Sequence, residues 1–126
     1  MVDFANLNID SVAALVSVLE DELGGVSTRW WNKNKSAVAG NLETLAQAAI
    51  QTQAALVEKR IDQETAERFM DEQKAALKDV LDFTELMTLV LGQQLLDAAF
   101  KVIGWVILNK TEINLAPDLV KPDAQG

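Results

Sequence analysis

Spacings of four and three residues alternate without a slip through Ala66, Met70, Gln73, Leu77, Val80, Thr84, Met87, Leu91, Gln94 and Ala98. No proline falls between Asp62 and Asn109. A seam that returns to one face every three and a half residues predicts a long helix lying against other helices. The register runs through Thr84, so the pattern favours one helix over about 63–109 rather than a separate helix capped at Thr84 and Glu85. Gln73, Thr84 and Gln94 are polar residues on this seam, of the kind that set register or oligomer number.

A second long helix is predicted over about 28–60. Trp31, Val38, Leu42, Leu45, Ala49 and Leu56 lie on its seam, and Gly40 is its weak point because an interior glycine costs about 1 kcal/mol relative to alanine. Asp62 is placed to cap the next helix and Glu64 to complement its dipole. A connection that short makes the two helices antiparallel neighbours. Upstream, a short helix is expected to start at Asp10 or Ser11, to bury Ile9, Val12, Ala13, Val16, Leu19 and Leu23, and to end at Gly24-Gly25.

The predicted architecture is therefore all-α, an elongated antiparallel helical hairpin with a short N-terminal helix. One domain spans 1–126, with an N-terminal segment over 1–8 and an extended C-terminal arm over 111–126, where Pro117 and Pro122 interrupt any regular pattern. At 1.5 Å per residue the three helices would be about 20, 50 and 70 Å long. The second cannot cover the third, so the first is expected to fold back over Ala98, Val102 and Trp105.

From Leu86 to Leu108 the apolar residues extend almost all round the helix. Such a helix must be buried on every side, by protein or by lipid. Its length would span a bilayer, but Gln93, Gln94, Asp97 and Lys101 interrupt it, and a charge near the bilayer centre costs about 2.5 to 3.5 kcal/mol. Asp97 and Lys101, spaced to pair on one face, are expected to neutralise each other. Protein burial is favoured. The apolar surface exceeds what a hairpin covers, which predicts an interface with other chains at Leu86, Val90, Phe100, Ile103, Trp105, Val106 and Leu108. Ile113 and Leu115 of the arm are expected to join it by docking on a neighbouring copy.

A basic, aromatic island, Arg29-Trp30-Trp31-Asn32-Lys33-Asn34-Lys35, stands in an otherwise acidic chain. Arg29, Trp30, Trp31, Lys33 and Lys35 are candidate contacts to a membrane or anionic surface, since indoles tolerate half-wet positions and cations meet phosphate. The simpler expectation makes Trp31 a core anchor and Trp30 a shield for the glycine turn. Asn34-Lys35-Ser36 matches the glycosylation acceptor pattern, read as chance without a leader.

Composition narrows the chemistry. The 126 residues include no cysteine and no histidine, which removes thiol nucleophiles, imidazole acid–base catalysis and thiolate or imidazole zinc sites. Glu20-Asp21-Glu22 point in different directions on a helix and do not form a metal site. No catalytic, cofactor-binding or metal-ligating residue is assigned, and the chain is expected not to be an enzyme. A net charge of −8 argues against nucleic acid as a partner. Met1-Val2-Asp3-Phe4 does not read as a secretory start, so the expected place is the cytoplasm or a particle assembled there.

These features lead to a structural or assembly subunit associating with copies of itself or with other helical subunits, as in a phage-like particle or a secretion apparatus. A membrane-active protein inserting its Trp-rich apolar end is the second expectation. An acidic inhibitor covering a basic partner is the third.

Overall fold

Ser11, in extended conformation, accepts a hydrogen bond from the Ala14 amide and opens the first of four helices. The computed structural model describes residues 3–122. The helices are α1 (Val12–Val26), α2 (Thr28–Val57), α3 (Gln63–Asp82) and α4 (Leu89–Thr111), preceded by a 3-10 turn at Phe4–Asn6. No strand occurs among the described residues, and the fold is all-α.

Leu15, Leu19 and Leu23 recur every four residues and form the buried stripe of α1, while Ala13 is exposed. The helix continues through Gly24 and Gly25 to Val26, past the expected stop. Gly24 is where the Trp31 ring lies: a Cβ there would sit 3.3 Å from Trp31 Cδ1. The reversal is made instead by Ser27 alone, extended at φ −152°, whose hydroxyl accepts from the Trp30 amide to cap α2. Polar capping outweighed the glycine pair because both glycines keep helical torsions and one is needed for close packing.

Val38, Leu42, Leu45, Ala49 and Leu56 of α2 are buried as predicted. At its start the roles of the two tryptophans are exchanged. Trp30 is the buried anchor and Trp31 is half-buried against α1. Lys59, in left-handed conformation, and Asp62, whose carboxylate accepts from the Thr65 amide at 2.8 Å, turn the chain into α3. Hydrogen bonding by Thr65, side chain first and then backbone, holds the Asp62 carboxyl below its ordinary value.

The expected helix over 63–109 does not form; it breaks over 83–88. The polar seam residue Thr84 is the reason. Its hydroxyl donates to the Leu81 carbonyl at 2.7 Å and accepts from the Trp30 indole at 2.9 Å, so side chains replace the helical hydrogen bonds. Leu86 then adopts φ 65°, and Thr88 caps α4 by accepting from the Leu91 amide. The chain reverses there, bringing Phe100, Ile103 and Gly104 of α4 beside Met70, Asp71 and Lys74 of α3. A bundle whose longest member is α2, about 45 Å by its 30 residues, replaces the elongated hairpin.

Leu95, Leu96, Ala99, Phe100, Val102, Ile103, Trp105, Val106 and Ile107 of α4 are all buried. Helices α1, α2 and α3 cover most of this helix. The chain's own ends cover a further part of it, and its first turn stays exposed. Phe4 stacks on Trp105 with centroids 6.4 Å apart, and Lys101 Nζ lies 4.7 Å from the Phe4 centroid. Asn109 donates to the Phe4 and Leu7 carbonyls, fastening this N-terminal strap. The expected Asp97–Lys101 pair is thereby replaced: Lys101 turns to Phe4, and Asp97 accepts from Gln93.

On the other side, Glu112 at φ 64° ends α4 and the chain folds back on it instead of extending as an arm. Asn114 accepts from the Ala116 amide and donates to the Val120 carbonyl, which closes a turn with Val120 buried. Gly104 makes room for it: a Cβ there would lie 2.7 Å from Val120 Cγ2. Residues 123–126 of the expected arm and residues 1–2 of the N-terminal segment lie outside the described residues.

Candidate interaction surface

The connection between α3 and α4 is held by buried polar groups yet presents apolar side chains to solvent. Asn34, 3% exposed on the second turn of α2, donates to the Glu85 carbonyl at 2.9 Å and accepts from the Glu85 amide at 3.0 Å. Its amide also donates to the Trp30 carbonyl one turn earlier. A side-chain amide that satisfies both backbone groups of one residue fixes that peptide as a neighbouring strand would. Together with the Trp30–Thr84 bond it clasps the connection to α2 at two successive residues. Lys33 and Glu85 add a solvent-exposed ion pair at 3.8 Å, a minor contribution by its exposure.

Fixed in this way, Phe83 and Leu89 are each 91% exposed, Val90 is 69% exposed and Leu86 46%. Met87 points the other way, half-buried beside Gly92. Among the described residues, the other large exposed apolar side chains, Val57 and Phe69, lie near the opposite end of the bundle. Left-handed backbone at a leucine costs about 1 to 2 kcal/mol. At Leu86 it lies in the segment that leaves Phe83 and Leu86 exposed while turning Met87 onto the core.

Of the residues expected at an interface, Leu86 and Val90 belong to this surface. Phe100, Ile103, Trp105 and Val106 are enclosed by the chain itself. Leu108, Ile113 and Leu115 are half-buried, the last two against the core where the C-terminal segment folds back. Arg29, Lys33 and Lys35 are exposed on the opening turns of α2, and Lys33 pairs with Glu85 of the clasped connection. The indoles of Trp30 and Trp31 are turned inward, so the island presents cations without its aromatic partners. Phe83 and Leu89 were not legible as surface residues, because a helix continuing through Thr84 hides the turn that exposes them.

No group of three acidic, histidine or cysteine side chains able to hold a metal occurs among the described residues. A cleft of about 150 Å³ between α3, α4 and the C-terminal turn is lined by Met70, Lys74, Phe100 and Leu119. Its charged lining residues are Asp71, Lys74 and Asp118. Helix α4 is long and apolar enough to cross a bilayer, but over half of its apolar stretch is buried in the bundle, as in the core helix of a soluble protein. Comparison with protein-family models, curated proteins and solved structures finds no match.

Proposed function

We propose that this protein is a non-enzymatic assembly subunit that docks onto other protein through the apolar turn between α3 and α4. The observation that carries the reading is the presentation of Phe83, Leu86, Leu89 and Val90 beside a clasp from buried Asn34, four of the six large apolar side chains exposed among the described residues. Apolar side chains at a solvated turn are unfavourable unless another surface covers them. A chain that needed only to reverse direction here would meet no penalty for polar residues at these positions.

A Trp-rich membrane anchor is less well supported, since Trp30 is spent on Thr84 and the core. An acidic inhibitor would need a surface of one sign. The outer face of α3 instead mixes Asp71, Glu72, Asp79 and Asp82 with Arg68, Lys74 and Lys78.

Size-exclusion of tagged protein in extracts of the cells that produce it tests the docking reading. The unaltered chain should elute well above its own 13.8 kDa, and a Phe83→Glu/Leu89→Glu variant should elute as the isolated chain. Co-elution of the two would place docking elsewhere on the molecule.

A further inference from the structure

We infer that the surface that covers this turn is a second copy of the same chain, related by a two-fold axis; this rests on the docking role proposed for the turn. Area is the first argument. From their exposures, Phe83, Leu86, Leu89 and Val90 offer on the order of 500 Å² of apolar side chain, in the upper part of the range for the largest patch on a monomer. A standard interface buries about 800 Å² on each side, of which about two thirds is apolar in homodimers. One such turn supplies roughly the apolar centre of one side. Two facing turns complete it.

The second argument is charge. Lys33 of α2 pairs with Glu85 of the turn, and Lys78 pairs with Asp82 at the end of α3, so both signs stand at its rim. A bilayer with anionic headgroups selects a rim of positive sign. This rim carries both signs, already paired within the chain. An identical copy therefore meets no excess of one sign at the rim across a two-fold axis. Preorganisation adds to this, because the clasp to Asn34 removes most of the ordering cost of a loop on binding.

The test uses the purified full chain in plain buffer. Sedimentation equilibrium should show a concentration-dependent species of twice the 13.8 kDa chain mass, lost in Phe83→Glu/Leu89→Glu while far-ultraviolet circular dichroism keeps the same helix content. Because the sequence contains no cysteine, Leu89→Cys carries a single thiol. A short bismaleimide should then link it into a covalent dimer, since only a two-fold contact sets a residue near its own counterpart. A dimer that survives the glutamates, or that is not linked at position 89, overturns the inference. So does a monomer at every concentration. If that monomer still elutes in a heavy, glutamate-sensitive complex from cell extracts, the partner is a different chain and the docking role stands. If it instead floats with anionic or neutral vesicles in a glutamate-sensitive way, both the copy and the protein-docking role fall in favour of lipid.

Discussion

Asn34 shows how much a single polar side chain contributes here. It is buried and forms three hydrogen bonds through one amide, two of them to a residue 51 positions away. Asn34→Ala removes the clasp and leaves the amide and carbonyl of Glu85 without those partners. Unpairing buried polar groups costs about 1 to 3 kcal/mol, and urea denaturation of the variant should show a loss in that range. Association should weaken as well, because the turn is then no longer ordered beforehand. An unchanged midpoint would mean that Glu85 is held by other means. Nothing local announces this role: in the sequence Asn34 reads as part of a glycosylation pattern, and its partner appears only once α3 has folded back along α2. The exchange of Trp30 and Trp31 has a similar origin. Neighbouring positions on a helix differ by about 100°, and the seam alone chose the wrong one. The hydroxyl of Thr84 and the open backbone of Gly24 decide between them.

Elements were legible where one physical signal dominated. The all-α class, a cap at one of Asp10 and Ser11, the seam of α2 from Val38 onward and the cap of α3 at Asp62 follow from apolar period and capping chemistry. The break over 83–88 did not, because an unbroken apolar register is equally compatible with a helix that stops, reverses and resumes. What ends α3 is a set of tertiary hydrogen bonds from α2, which a seam does not report. The same omission produced the elongated hairpin and the extended arm. In the fold, the C-terminal segment is an element of the core: Val120 sits against Gly104, with Ala116 also close enough that a Cβ would meet it at 3.2 Å. Gly104→Ala forces these apart. Overpacking of this kind typically costs about 1 to 3 kcal/mol, so thermal unfolding should move to lower temperature while far-ultraviolet circular dichroism before the transition stays the same. A variant as stable as the original would show that the segment yields without loss and is not a packed part of the bundle.

At the scale of the whole molecule, the apparent excess of apolar surface on α4 disappears. Three helices, a strap fastened at Asn109 and a turn closed by Asn114 enclose it within one chain. The surface proposed for docking lies instead at the break between α3 and α4 and on the first turn of α4. Hydrogen exchange read peptide by peptide on the associated protein and on its dispersed Phe83→Glu/Leu89→Glu variant tests this division most directly. Amides over 98–107 should exchange equally slowly in both, since their protection comes from the fold, and added protection on association should be confined to about 83–93. Fast exchange over 98–107 in the dispersed protein, with protection appearing there only on association, would contradict the account and return the partner to the apolar core of α4.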